Sequence, residues 1–454
     1  MDARLMVACA GDADRFPTLS SAGRRILAFM REHPHAPIYR NHSGNRLLAG
    51  EVEQVRAFEH EVGEAVVGWQ PGTLPAWMQP FIDQVFAQVP HYRRQGPPPE
   101  TFEAIAPVSR ADLAEDVTRF VPDGLPLDRL LNFRTTGTTG HPLQVPSHPV
   151  VAARYLAFHK RALRRAGVEL RHGAGQVGVV LLGHQQRCFT YVSVTPTMDE
   201  SGLAKLNLHP NDWRDPADRA PYLEALDPEV VAGDPISFTE LLTLPTTLRP
   251  RALMSVSMTL MPGLRAALEA RFGCPVLDIY SLNEVGPVAA WDARAGGHVL
   301  LQPRLYVELL GPDGKPVAPG ARGEITVTGG FNDWLPLLRY RTGDHASLAF
   351  GPDGPVLIDL CGRDPVRYRT LQGRWINNIE ISHALAPLPI AHYAFHQCAD
   401  GALELLLAPA AMGMAPQATR LLAALFGDQP VAVKLLTAED KVRQYTSSLA
   451  GALA

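Results

Sequence analysis

A segment rich in threonine and glycine is the first part of this chain whose residue types could do chemistry. Each of its members can offer a hydrogen-bond donor to an anion: Thr135, Thr136, Gly137, Thr138, Thr139 and Gly140. Glycine lets backbone N–H groups approach a phosphate closely, and threonine hydroxyls add donors to its oxygens. The Gly-Lys-Ser/Thr ending of a Walker A loop is missing. Taken alone, such a cluster is more often an ordinary turn, so its meaning depends on the segments that follow.

A second segment, Tyr280 to Glu284, brings an aromatic ring, an amide and a carboxylate together. Mg²⁺ prefers carboxylate and phosphate oxygens, an aromatic face is a platform for a base, and the Asn283 amide can donate to a phosphate. The apolar run from Cys274 to Ile279 predicts a strand that leads into the segment. For an isolated segment of this kind, a strand end with a solvent-facing Glu284 is the simpler interpretation.

Three charged residues further along the chain complete the set: Asp344, Arg363 and Lys441. Asp344 ends the stretch Leu337 to Asp344, and its carboxylate could accept hydrogen bonds from both hydroxyls of a ribose. The simpler interpretation is an aspartate in a turn. Lys441 lies in the charged stretch Glu439 to Arg443, where an exposed lysine on a helix is the alternative.

The order of these segments resembles that of the core motifs of the adenylate-forming superfamily, which includes the acyl-CoA synthetases. Their residues are most similar to those of the phenylacetate–CoA ligase branch. The resemblance runs from about residue 85 to the end of the chain, and it is strongest from Val307 to Asp344. It implies activation of a carboxylic acid, aryl by the preference of the branch, with ATP. The products are an acyl-adenylate and pyrophosphate, and the acyl group then passes to a thiol, with coenzyme A as the default acceptor.

The resemblance implies three catalytic residues, Glu284, His141 and Lys441. The loop Thr135 to Gly140 would hold the phosphates of ATP, and Glu284 would bind the Mg²⁺ that bridges them. Lys441 would neutralise the charge that develops on the α-phosphate. His141 stands where the family usually has lysine. Because a neutral imidazole does not replace a permanent ammonium, the affinity for triphosphate or its pH dependence should differ here.

The same resemblance implies a nucleoside site. Tyr280 would stack on adenine, Asn283 would donate to a phosphate in place of the usual threonine, and Asp344 would bind the ribose. Arg363 would contact ribose or phosphate and open the hinge to the last part of the chain.

The residue pattern also predicts the organisation of the chain. Helical spacing over Arg24–Glu32 and Glu51–Val67 gives way after Leu131 to strands that alternate with helices, which indicates an α/β sheet covered on both faces. Tyr306–Asp359 has the pattern of strands and tight turns. The predicted fold class is α/β. Together with these patterns, the resemblance implies a large N-terminal domain over residues 1–361, built of α/β sheets with a β-rich subdomain and a mainly helical extension over 1–80. It also implies a small, mobile α+β domain over residues 362–454.

Composition excludes several classes of protein. The formal net charge of -4 and the scattered basic residues give no reason to expect a nucleic-acid partner. Five cysteines without a C-x-x-C pair indicate neither a zinc knuckle nor a disulfide framework. Because no apolar run approaches the roughly 20 residues needed to span a membrane, the sequence predicts a cytoplasmic protein. The resemblance implies that its partner is a small-molecule carboxylic acid.

Two alternatives to a CoA ligase stay open. The first is an adenylation enzyme that delivers the acyl group to an acyl-carrier protein or an amine without coenzyme A. The second is a non-catalytic nucleotide-binding homologue, which the departures at His141, Asn283 and around Lys441 would allow. The sequence does not identify the acid, the hinge residue or the role of residues 1–80, and a homodimer is compatible with it.

Overall fold

The computed structural model describes residues 11–134, 143–352, 354–362, 366–438 and 442–449. Up to residue 115, the described part of the chain contains six helices: α1 (Asp12–Arg15), α2 (Ser21–Glu32), α3 (Ala49–Glu64), α4 (Met78–Gln88), α5 (Pro90–Arg93) and α6 (Arg110–Glu115). The helices predicted over Arg24–Glu32 and Glu51–Val67 are confirmed as α2 and α3, although α3 ends at Glu64. Helix α2 begins at Ser21 because the Ser20 hydroxyl accepts a hydrogen bond from the Gly23 N–H, 3.1 Å away.

A mixed sheet of thirteen strands forms the middle of the molecule. Its strands are β1 (Val108–Ser109), β4 (Val177–Gly183), β5 (Tyr191–Thr195), β6 (Ser201–Asn207), β7 (Val230–Gly233), β8 (Ala252–Val256), β9 (Val276–Leu282), β10 (Gly286–Asp292), β11 (Gly297–Leu300), β12 (Leu305–Leu310), β13 (Arg322–Gly329), β14 (Leu337–Gly351) and β15 (Gly354–Gly362). Two further strands, β2 (Leu131–Arg134) and β3 (Gln144–Ser147), pair with each other in a separate hairpin.

Five neighbouring strands of the large sheet are parallel, in the order β6-β4-β7-β8-β9. Helices cover both faces: α7 (Pro149–Arg165), α8 (Arg219–Leu226), α9 (Pro235–Thr243) and α10 (Pro262–Phe272). Val231 and Leu253 belong to the core on one face, while Ala232 and Met254 belong to the core on the other. The prediction of an α/β sheet covered on both faces is confirmed, and these strands are apolar because neither face meets water.

From β9 onward the sheet is antiparallel, and it continues through β10, β11, β15, β14 and β13 to β12. Strands β12 to β15 confirm the β-rich region predicted over Tyr306–Asp359. The short strand β1 joins β14 in parallel, with Val108 opposite Tyr340 and Ser109 opposite Arg341. Helix α6 therefore begins, at Arg110, next to the strand that contains Asp344.

The C-terminal part has its own core and its own sheet. Its elements are β16 (Arg367–Arg369), β17 (Trp375–Asn377), α11 (Asn378–Leu385), β18 (Tyr393–Gln397), β19 (Leu403–Leu407), α12 (Ala415–Leu425), β20 (Val431–Leu435) and β21 (Tyr445–Ser447). The four-stranded sheet has the order β20-β19-β18-β21. Its core draws on residues 366–445 and on Met261 from the rest of the chain. A small α+β unit is thus confirmed, while the boundary at residue 362 and the mobility of the unit stay predictions.

Candidate active site

A hydrogen bond joins two of the predicted site residues from distant strands. The Tyr280 hydroxyl on β9 donates to Asp344 Oδ2 on β14 over 2.8 Å. Strands β10, β11 and β15 lie between β9 and β14 in the order of the sheet. The sheet must therefore curl for the two side chains to meet. The strand predicted to lead into Tyr280 is confirmed as β9, which runs from Val276 to Leu282 and so continues two residues beyond Tyr280.

The backbone around Gly343 fixes the direction of the Asp344 carboxylate. Gly343 has a φ of +80°, which a residue with a Cβ adopts only with strain. Its N–H donates to Glu324 Oε1 over 2.9 Å, and the Thr342 hydroxyl donates to the carbonyl of Ile325 over 2.8 Å. Neighbours on β13 thus hold the two residues before Asp344, which is itself half-buried beside Tyr280.

Burial decides the charge state of Tyr280. It raises the pKa of the Tyr280 hydroxyl well above its usual range, and the negative charge of Asp344 acts in the same direction. The hydroxyl is therefore a neutral donor at any physiological pH. The Tyr280 hydroxyl is thus hydrogen-bonded to Asp344, the residue predicted to hold the ribose. This position is compatible with the prediction that the face of the Tyr280 ring stacks on adenine.

Glu284 lies in the turn between β9 and β10 and is 5% exposed. The Tyr340 hydroxyl donates to its Oε1 over 3.0 Å, and Arg110 Nη1 lies 3.3 Å from the same oxygen. The simpler interpretation of a solvent-facing carboxylate at this position is therefore wrong. Sequence reasoning missed the roles of Tyr340 and Arg110, because neither residue type nor spacing relates them to Glu284.

Asn283 is exposed, and its backbone is held from another element. The Tyr155 hydroxyl on α7 donates to the Asn283 carbonyl over 3.4 Å, and the residue itself is exposed to solvent. This arrangement is compatible with the predicted contact between the Asn283 amide and a phosphate, which stays a prediction.

Several predicted residues lie outside the described residues: Thr135, Thr136, Gly137, Thr138, Thr139, Gly140, His141, Arg363 and Lys441. Their neighbours are described. Strands β2 and β3, which flank the Thr/Gly segment, pair with each other. Gly362, immediately before Arg363, is paired with Asp344 in the sheet. The roles of these nine residues stay predictions.

Comparison with known proteins relates the chain to ligases. It is 38% identical over 92 residues to the phenylacetate–coenzyme A ligase of Escherichia coli, which covers 19% of this chain and 21% of that protein. The phenylacetate–coenzyme A ligase of Thermus thermophilus is 26% identical over 331 residues, 65% of this chain and 68% of the relative. The match with the E. coli protein thus spans only about a fifth of its length. No protein-family model matches the chain.

Solved structures show the same fold. A 2-hydroxyisobutyryl-CoA ligase in its postadenylation state, with an acyl-AMP bound, matches with a TM-score of 0.61 at 18% identity, over 87% of this chain and 90% of that one. An open conformation of that ligase, in complex with 2-HIB-AMP and CoA, matches with a TM-score of 0.52. Among the described residues, no helix has both the length and the apolar content to cross a membrane.

These matches confirm the predicted fold class, a large α/β part with a β-rich region followed by a smaller α+β unit. The chain is thus similar in sequence to phenylacetate–coenzyme A ligases and has the fold of a solved CoA ligase, which agrees with the resemblance seen in the order of its motifs.

Proposed function

We propose that this protein is an AMP-forming acid–thiol ligase that activates a carboxylic acid with ATP and transfers the acyl group to coenzyme A. The observation that supports it most is the convergence of the Tyr280–Asp344 pair and the buried Glu284 around the carboxyl end of β9. In open α/β sheets, ligands bind beside the carboxyl ends of the parallel strands. The homologues are ligases named for the same chemistry.

In the first half-reaction, a carboxylate oxygen of the acid attacks the α-phosphorus of ATP. The bond from that phosphorus to the bridging oxygen breaks, and pyrophosphate leaves. In the second, the thiol sulfur attacks the acyl carbon, the bond to the AMP oxygen breaks, and the thiol proton is released. The protein mainly positions the reactants and neutralises charge. Asp344 would hold the ribose hydroxyls, with Tyr280 fixing its carboxylate.

The Glu284 site fits the Mg²⁺ that the fold family implies. Magnesium is usually held by one or two carboxylates together with substrate phosphates and water. Tyr340 and Arg110 both approach Oε1 of Glu284, and in our proposal Oε2 would face the cation. When bound, the ion would neutralise phosphate charge. Tyr340 and Arg110 would keep the carboxylate in place.

We infer an aryl acid and coenzyme A as the substrates, because the homologous ligases carry phenylacetate and coenzyme A in their names. A cytoplasmic location belongs to the same proposal. The four cysteines within the described residues are unpaired, as in proteins of reducing compartments. The homodimer stays a prediction.

The test is release of pyrophosphate from Mg²⁺ and ATP over a panel of aryl and alkyl acids, with and without coenzyme A. We expect release that depends on an aryl acid and turnover that rises with coenzyme A. Acid-dependent release that coenzyme A leaves unchanged would favour a carrier protein or an amine as the acceptor. Binding of ATP without release for any acid would point to a non-catalytic homologue. A Glu284→Gln sample serves as the control for contaminating activity.

Lys441→Ala is expected to slow pyrophosphate release about 100- to 1,000-fold, because the proposed role of Lys441 is to neutralise the negative charge that develops in the transition state. Thioester formation from a synthetic acyl-adenylate should be unaffected, since that step does not involve attack on the α-phosphate. Lys434→Ala is the matched control. Lys434 lies on β20 of the same C-terminal unit and pairs with Glu404. Equal rates for Lys441→Ala and the wild type would exclude the predicted role.

A further inference from the structure

Arg339, five residues before Asp344, is almost completely buried, with 1% of its surface exposed. Its guanidinium makes a two-pronged pair with Glu308 on β12, Nε to Oε1 over 2.8 Å and Nη2 to Oε2 over 3.0 Å. Nη1 donates to the carbonyls of Glu103 and Ile105, over 2.6 and 2.7 Å. The group also lies over the Phe102 ring, 5.4 Å from its centre. Arg339 thus connects β12, β14 and residues 102–105.

The backbone at Arg339 forms a bulge in β14. Two residues, Leu338 and Arg339, lie opposite the single residue Thr328 of β13, because the register shifts between Val327 and Gly329. Arg339 has a φ of +47°, a strained value for a residue with a side chain. Such a bulge changes which side chains of a strand point to which face.

Side chains, and not the neighbouring strand, satisfy the backbone of the bulge. The N–H of Leu338 donates to the Tyr92 hydroxyl over 3.0 Å, and the N–H of Arg339 donates to the Thr328 hydroxyl over 2.8 Å. Tyr92 is fully buried. An unpaired backbone N–H at such depth would be costly, so Tyr92 and Thr328 stabilise the bulge in its observed form.

Arg339 is connected to the surroundings of Glu284 in two ways. The first is the backbone, since the next residue is Tyr340, whose hydroxyl donates to Glu284 Oε1. The second runs through residues 103–105, which continue into β1 and into Arg110, the other partner of that oxygen. Both neighbours of the carboxylate, Tyr340 and Arg110, are therefore connected to Arg339, one directly along the chain and the other through residues 103–109.

We propose that Arg339 is a positioning residue that sets the place of the Glu284 carboxylate. Through this carboxylate Arg339 would affect the binding of Mg²⁺ with ATP without contacting the metal or the nucleotide. This inference rests on the proposed function. A buried ion pair is in general weak evidence for added stability. The role of Arg339 is instead partly geometric, because two of the four hydrogen bonds of its guanidinium go to backbone carbonyls of the segment that precedes Arg110.

The test compares Arg339→Lys with a matched control, Arg251→Lys. Lysine keeps the charge but cannot make the two-pronged contact or reach all four acceptors. Arg251 also pairs with a buried carboxylate, that of Glu229. Glu229 lies directly before β7, at the amino ends of the parallel strands, whereas Glu284 follows the carboxyl end of β9. Tyr92→Phe is a milder second variant, which removes only the hydroxyl that binds Leu338.

For Arg339→Lys we expect the KM for Mg²⁺ with ATP to rise about 10- to 100-fold, the range for partners that orient a metal ligand, while the KM for the acid stays unchanged. Hydrogen–deuterium exchange, which needs no substrate, should become faster in peptides covering residues 103–112 and 336–345. Tyr92→Phe should change both readouts in the same direction but less. Arg251→Lys should lower the melting temperature only.

Unchanged exchange in those two peptides would overturn the inference, as would an equal rise in both KM values. If the wild-type protein releases no pyrophosphate, the proposed function fails. The exchange experiment would still decide whether Arg339 holds residues 103–112 and β14 together. If Arg339→Lys does not fold, Tyr92→Phe supplies the same two readouts.

Discussion

Glu284→Gln is expected to lower the rate of pyrophosphate release about 100- to 1,000-fold, the loss that follows removal of one preorganised electrostatic group at a transition state. Glutamine has the shape of glutamate, and its amide oxygen can still accept the hydrogen bond from Tyr340. The fold should therefore survive. What disappears is the negative charge that would hold Mg²⁺, so excess Mg²⁺ should restore part of the rate.

The measurement is a titration of Mg²⁺ at fixed ATP, with pyrophosphate release as the readout. Glu229→Gln is the control, since Glu229 is also buried, at 1% exposed, and accepts hydrogen bonds from Arg251 and the backbone N–H groups of Arg171 and His172. It should lower stability and leave kcat/KM for ATP unchanged. A Glu284→Gln protein with the wild-type Mg²⁺ dependence would exclude the metal role.

Asp344→Asn is expected to lower kcat/KM for ATP about 10- to 150-fold, which corresponds to the roughly 1.5–3 kcal/mol carried by hydrogen bonds to a charged group. The amide keeps one acceptor oxygen but loses the charge and the second acceptor. Because Asp344 is half-buried, we place the expected loss nearer the lower end of this range. The acid should bind as in the wild type, since Asp344 faces Tyr280 on the nucleoside side of the predicted site.

A substrate that lacks one ribose hydroxyl makes this test specific. In the wild type, 2′-deoxy-ATP should be used less well than ATP, and in Asp344→Asn that difference should shrink, since the two changes remove the same interaction. Asp292→Asn is the control, because Asp292 ends β10 and pairs with Arg165. If Asp344→Asn discriminates against 2′-deoxy-ATP as strongly as the wild type, Asp344 does not bind the ribose.

The sequence predicts a helix or strand with correct bounds where the spacing of apolar residues alone determines that element. The residue pattern predicts a helix over Pro262–Phe272 and a strand over Leu403–Leu407, and both elements have these bounds in the structure. Their residues alternate between core and solvent at the period of the element, and Pro262 and Gly273 mark the ends of the helix. Tyr280 shows the limit, because the strand continues two residues beyond it.

The sequence predicts several residues of the site, but it does not predict the contacts that hold them. Tyr280, Glu284 and Asp344 were recognised from the order of motifs, whereas Arg110 and Tyr340 were not assigned a role. Their pairing with Glu284 depends on the curl of the sheet and on the bulge at Leu338–Arg339. No local signal in the sequence marks a bulge whose hydrogen bonds come from Tyr92 and Thr328.

The contacts of the bulge have a consequence for the order in which the molecule folds. Arg339 and Ile105 are 234 positions apart in the chain, and Tyr92 and Leu338 are 246 apart. Contacts of such sequence separation form late and slow the folding of a domain. During synthesis the surroundings of Glu284 cannot assemble until the chain has been made past Asp344. A nucleotide bound at the proposed site would therefore stabilise the finished protein against unfolding, but it would not assist the early steps by which the chain folds.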